Sequence, residues 1–142
     1  MKWLWIGFLL IIAVPARADG LPTPEAAREL ADKIMEAVSN GDTDRAFSLM
    51  KPYARVTSVD IDAANNKIKE QWRAKPFGDC IGYEFLTNEM IGSSVLRITE
   101  LHRFERHAME WRFVFYKGAN GWTVNNFNVN DKLQDLFRHQ SC

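Results

Sequence analysis

The stretch HAMEWRFVFYKGANGWTVNNFNV, His107 to Val129, holds two runs of alternating apolar and polar residues around Gly118-Ala119-Asn120-Gly121. Alternation with period 2 places successive side chains on opposite faces of a strand. A connection rich in Gly and Asn supplies the left-handed residue that a tight hairpin needs. The first run divides into Met109, Trp111, Phe113 and Phe115 on one face and Glu110, Arg112, Val114 and Tyr116 on the other. The wholly apolar set is expected to turn toward a core. A three-residue loop Ala119-Asn120-Gly121 sets Gly118 opposite Trp122. Phe115, Phe113 and Trp111 then oppose Asn125, Phe127 and Val129.

Working upstream, Ile81 to Ile91 and Val95 to Phe104 also read as strands, joined to their neighbours by Gly92-Ser93-Ser94 and Glu105-Arg106-His107. Short links between consecutive strands require antiparallel pairing. A two-residue turn at Glu105-Arg106 pairs Phe104 with His107. Leu96, Ile98, Glu100 and His102 then share the buried face with Phe115, Phe113, Trp111 and Met109. A one-residue shift makes charge pairs between Glu100 and Arg112 and between His102 and Glu110, but it turns Arg97 and Arg103 onto the aromatic face. Two buried arginines cost more than one Glu and one His, so the first register is preferred.

Further upstream the period changes to that of helices. Thr23 caps a helix beginning at Pro24, with Ala27, Leu30, Ala31, Ile34, Met35 and Val38 on one stripe and Gly41 as the stop. Asp42 or Thr43 starts a second helix carrying Ala46, Phe47, Leu49 and Met50, which Pro52 ends. A third begins near Ser58 or Asp60, carries Ile61, Ala64, Ile68 and Trp72, and closes at Pro76. Past the sheet, Asn130 is expected to cap a short helix with Leu133, Leu136 and Phe137 inward. The expected fold is α+β: three helices packed on a curved four-stranded antiparallel meander, then a short C-terminal helix.

The first residues stand outside that fold. Lys2 is followed by an apolar run from Trp3 to Val14, and Ala16-Arg17-Ala18 has the small-x-small cleavage pattern. A dozen apolar residues fall short of the ~20 that span a bilayer. Residues 1–18 therefore read as a signal peptide and residues 19–142 as one domain, with Asp19 to Pro22 as a short leader. The chain is expected to be periplasmic or secreted, with no membrane attachment after cleavage. Removing Lys2 and Arg17 leaves 16 basic and 18 acidic side chains. That balance argues against a nucleic-acid partner, which a basic excess would mark. In an exported chain a Cys80–Cys142 disulfide is expected. Closing such a loop would contribute about 4 kcal/mol on chain-entropy grounds. Two free thiols and an intermolecular bridge through Cys142 stay open.

The preferred register places Glu100 and His102 inside, near Tyr83, Phe85, Trp111 and Asn125. Polar groups among aromatics beneath helices outline a ligand pocket. A carboxylate there would have a raised pKa and could serve acid–base chemistry. An internal hydrogen bond without chemistry is the commoner fate of such pairs. On the opposite face Leu101, Val114, Tyr116, Trp122 and Val124 form a candidate apolar patch for a homodimer, unless the C-terminal helix covers them. Glu100 and His102 have no third ligand at a useful spacing, and His107 and His139 lie in a turn and a tail, so no metal is expected. Neither a nucleophile motif nor a Gly-rich phosphate loop is present, and no cofactor is expected.

The layout resembles the nuclear-transport-factor-2-like, ketosteroid-isomerase-like cone, and most closely short exported bacterial domains of that fold without an established activity. The resemblance is carried by Asn40-Gly41-Asp42 with Ala46-Phe47, by Trp111 to Lys117, and by Gly121-Trp122-Thr123-Val124. It implies a cone lined by Asp, His or Tyr in the family's enzymes, for which Tyr83, Glu100 and His102 are rough analogues. It also implies dimers through the open sheet face. Fold does not decide activity. The leading expectation is a non-enzymatic module that binds a small apolar molecule or a partner protein. The competing expectations are an isomerase or dehydratase using Glu100, His102 and Tyr83, and a structural homodimer subunit.

Overall fold

A computed structural model describes residues 20–137. The signal-peptide segment and Cys142, with the disulfide expected of it, lie outside the described residues. The elements run α1 (Pro24–Ser39), α2 (Thr43–Met50), a 3-10 turn (Lys51–Tyr53), α3 (Ser58–Trp72), β1 (Cys80–Ile91), β2 (Val95–Phe104), β3 (Ala108–Gly118), β4 (Gly121–Asn130) and a 3-10 turn (Leu133–Leu136). The four strands form one antiparallel sheet in the order β1-β2-β3-β4. No described helix is long and apolar enough to cross a membrane.

Each helix starts on a side-chain cap that satisfies an otherwise unpaired backbone N–H. Thr23 accepts from the Ala26 amide, Asp42 from Arg45 and Thr57 from Asp60. The apolar stripe of α1 is buried throughout, from Ala27 to Val38. It meets the inner face of the sheet, where Leu96, Ile98, Trp111, Phe113 and Phe115 are buried. The rings from Met109 to Phe115 therefore turn toward the helices, as their alternation predicts.

The β2–β3 register is the preferred one, with Leu96, Ile98, Glu100 and His102 opposite Phe115, Phe113, Trp111 and Met109. The β3–β4 register differs from expectation at its start. Gly118 pairs with Gly121 rather than Trp122, and Phe115 pairs with Val124 rather than Asn125. A bulge between Val114 and Phe115 then restores the expected pairs Phe113–Phe127 and Trp111–Val129. The cause is parity. Trp122 and Val124 are even-numbered, Phe127 and Val129 odd-numbered, and one extra residue lets both pairs turn inward. That extra residue is Asn125, which is exposed.

Two members of the expected outer patch are thereby removed from it, since Trp122 and Val124 lie in the core. Leu101 and Val114 are half-buried and only Tyr116 is exposed. The segment read as a leader pairs with the sheet. Leu21 and Trp122 exchange two backbone hydrogen bonds of 2.8 Å. Glycine is required there, because a Cβ on Gly20 would stand 2.7 Å from the Gly121 carbonyl carbon.

The expected C-terminal helix is a single 3-10 turn. Asn130 does not cap it but accepts from the Lys132 amide and donates to Asp135. Phe137, expected inward, is 70% exposed. With Leu136 it walls an outer-face cavity of about 260 Å³ floored by Arg97, Thr99, Glu110 and Arg112. The Glu110 carboxylate on that floor is buried and accepts from Arg112.

Candidate functional site

The inner face carries two polar side chains two residues apart on β2, and both are out of solvent. Glu100 is 0% and His102 1% exposed. Period 2 puts them on the same side of the strand, but they meet different neighbours. The structure splits the expected single site into two.

Glu100 is sealed beneath α1. Its cross-strand partners are Phe85 on one side and Trp111 on the other. Arg28 of α1 lies over the Phe85 ring, 3.3 Å from the guanidinium carbon to the ring centroid, in cation–π contact. Its Nε is 2.9 Å from Asp32 Oδ1 and 3.8 Å from Glu100 Oε1. Among the described residues neither Glu100 oxygen has a hydrogen-bond partner. Burial first, and then the neighbouring Asp32 carboxyl, together raise the Glu100 carboxyl to about 8 against the pull of Arg28. The group is therefore protonated and neutral at pH 7. Tyr83, half-buried and paired with His102 across the strands, is also raised, first by burial and then by the Asp32 and Glu100 carboxyls.

His102 opens onto a cavity. Its Nε2 lies 3.1 Å from Cys80 Sγ. Its ring packs against Phe104 at 4.2 Å and Trp72 at 5.1 Å between centroids. Nδ1 has no partner among the described residues. Burial lowers the imidazole to about 4, so the ring is neutral at pH 7. The adjoining cavity measures about 320 Å³. It is lined by His102, Cys80, Trp72 and Phe104, by Val38 to Gly41 at the end of α1, and by Lys75 to Asp79 of the α3–β1 loop.

Local sequence accounts for both walls. Gly41 takes φ +80 to end α1. Three residues past the end of α3, Lys75 takes φ +47, an uncommon conformation for a residue with a Cβ. The loop is then held by Lys75 Nζ on Asp79 Oδ1 at 2.6 Å and by Glu105 accepting from the Asp79 amide. A bulge between Cys80 and Gly82, with Gly82 at φ +130, begins β1 beside His102.

Between the two polar groups the cone is filled with rings. Trp111 is fully buried against Phe47, Phe113 and Trp72, with centroids 6.4, 6.2 and 6.2 Å away. The cavity at His102 does not include Glu100. Of the expected ligand residues, His102 alone lines it. Tyr83, Phe85 and Glu100 group instead with Arg28 and Asp32, Trp111 is core, and Asn125 is exposed outside the cone. Arg28 and Asp32 are neighbours of Glu100 that sequence reading missed. Their i,i+4 spacing, each one residue past a buried alanine, marks the edge of the apolar stripe that touches the sheet. Among the described residues no cluster of three or more His, Cys, Asp or Glu is arranged to hold a metal ion.

No protein-family model and no curated protein matches the chain. Solved structures do. A domain of unknown function with a cystatin-like fold from Nostoc punctiforme aligns over 82% of each chain at 13% identity and a TM-score of 0.54. A putative NTF2-like transpeptidase from Campylobacter jejuni covers 70% of this chain and 97% of its own at 17% identity, with a TM-score of 0.46. At such identities the likeness concerns fold alone. Three helices over a four-stranded meander, the alignment along most of the chain and the helix-lined inner face together give this protein a cystatin-like cone fold.

Proposed function

We propose that this protein is an exported, non-enzymatic binding module whose ligand is a small, uncharged, largely apolar molecule held at the mouth of the cone. The observation that carries this reading is the cavity of about 320 Å³ in which Trp72, Phe77 and Phe104 surround a neutral His102. Its size lies at the lower end of small-molecule sites, and its composition, aromatic walls with a few polar groups, is that of such sites. The lining carries no free charge to select an ion, since Lys75 and Asp79 at the rim are paired with each other. Export is supported by the apolar run and cleavage pattern of residues 1–18.

Acid–base catalysis by Glu100 is disfavoured, because the carboxyl is sealed behind Trp111 and Arg28 and cannot reach a molecule in this cavity. Calorimetric titration with indole tests the proposal. The expected Kd is on the order of 0.1–1 mM for so small a ligand, weakened roughly tenfold in Phe77→Ala. Absence of binding, or binding unaffected by Phe77→Ala, would overturn it.

A further inference from the structure

The cavity wall also holds a nucleophile beside His102. Cys80 Sγ is half-buried at its wall and sits 3.1 Å from His102 Nε2, within the reach of a base for its nucleophile. The Cys80 thiol also donates to the Gly82 carbonyl at 3.8 Å. His102 itself is 99% buried, lines the same cavity, and leaves Nδ1 without a partner among the described residues. A structural histidine would normally have both ring nitrogens satisfied. Here one nitrogen is committed to a thiol and the other to nothing described.

We propose that Cys80 and His102 form a thiol-addition site that captures small apolar or aromatic α,β-unsaturated carbonyl compounds entering the cavity. This inference rests on the reading that the cavity admits a small apolar molecule. In the step, the Cys80 sulfur forms a bond to the β-carbon and the C=C π bond breaks. The S–H proton passes to His102 Nε2 and is returned to the α-carbon, so no oxidant or reductant is needed. Burial disfavours a standing imidazolium, so the imidazole rests neutral. The proton moves as the bond forms, which is general-base assistance rather than a preformed thiolate.

This mechanism has a pH signature. An unassisted thiol reacts through its thiolate, and its rate falls about tenfold per pH unit below its pKa. Assisted attack persists for as long as His102 stays neutral, down to the region of its lowered pKa of about 4.

The test uses the full reduced chain carrying Cys142→Ser, which leaves Cys80 as the sole thiol. Second-order rates with N-phenylmaleimide are measured from pH 5 to 7.5 by intact mass, with glutathione as reference. Cys80 is expected to react at least about tenfold faster than glutathione at pH 6 and to lose less than about threefold between pH 7.5 and 6, where glutathione loses about thirtyfold. His102→Gln should restore the steep profile. A glutathione-like profile for wild-type His102 overturns the proposal without any variant. So does a flat profile that survives His102→Gln in a protein that melts cooperatively. Indole forms no bond to sulfur, so failure of the binding reading appears in calorimetry and failure of thiol addition in these rates.

Discussion

Glu100 and His102 stand two residues apart on one face of one strand, yet they belong to different regions of the molecule. Glu100 lies under α1, closed in by Arg28, Phe85 and Trp111. His102 lies one step nearer the cone mouth, against Cys80, Trp72 and an open cavity. Burial drives both to the neutral form, the acid upward to about 8 and the base downward to about 4. Neutrality alone therefore does not mark a functional group. Access does, and access is decided by what stands between each side chain and solvent.

The partition between the regions is Trp111, which pairs with Glu100 across the strands and touches Trp72 beside the cavity. Its removal breaks the comparison most severely. Trp111→Ala is expected to cost about 3–5 kcal/mol in urea unfolding, from lost burial and the void left behind. In protein that remains folded, the void admits water to Glu100, and its carboxyl should titrate closer to the ordinary value of 4.5.

The pH dependence of stability sharpens the comparison next. The folded-state pKa of Glu100 is raised, so the folded state binds more protons than the unfolded one between about 4.5 and 8. Its contribution is complete below that window and is lost as pH rises through it. The pKa of His102 is lowered from 6.5 to about 4, so its contribution is complete above 6.5 and is lost as pH falls toward 4. The two slopes oppose each other between about 4.5 and 6.5, and only the Glu100 slope remains from 6.5 to 8. Thermal and urea unfolding should show stability falling over that upper range by at most about 1.4 kcal/mol per pH unit. Glu100→Gln should abolish the fall and expose the rise from pH 4 to 6.5, whereas His102→Gln should extend the fall down to about 4.5.

A smaller effect is expected from Asp32→Asn. Removing that carboxyl takes away the second cause of the Glu100 shift, so the falling limb should move to lower pH while most of it persists, since burial is the first cause. The change in stability at pH 7 should stay within about 1 kcal/mol. Smallest is Asn125→Ala, which should alter stability by no more than about 0.5 kcal/mol and leave indole binding unchanged, because the side chain is exposed outside the cone.

Asn125 also shows where sequence reading stopped. The alternation of Met109 to Phe115 specified the buried face, and the cost of burying Arg97 and Arg103 selected the β2–β3 register. Both placed Glu100 and His102 inside correctly. The change from even-numbered Trp122 and Val124 to odd-numbered Phe127 and Val129 was visible in the chain. Reading it as a bulge would have kept Asn125 out of the pocket and the two apolar residues out of the outer patch. The division of the site was not legible. It depends on Arg28 and Asp32 arriving from α1, and on a loop closed by Lys75 in a left-handed conformation. Tertiary approach of that kind leaves no periodic mark. The Cys80–His102 contact belongs to the same class, since β1 and β2 must pair through a bulge before the two side chains meet.

The central claim is that Glu100 is sealed in the core whereas His102 borders the cavity. It is tested most directly by NMR on protein labelled at glutamate carboxyl carbons and histidine rings, titrated from pH 4 to 9 with and without indole. The account predicts a Glu100 carboxyl with a midpoint near 8 that indole leaves unmoved, and a His102 ring that stays neutral at pH 7 and shifts when indole binds. A Glu100 midpoint near 4.5, or a Glu100 carboxyl that indole perturbs as strongly as the His102 ring, would contradict it.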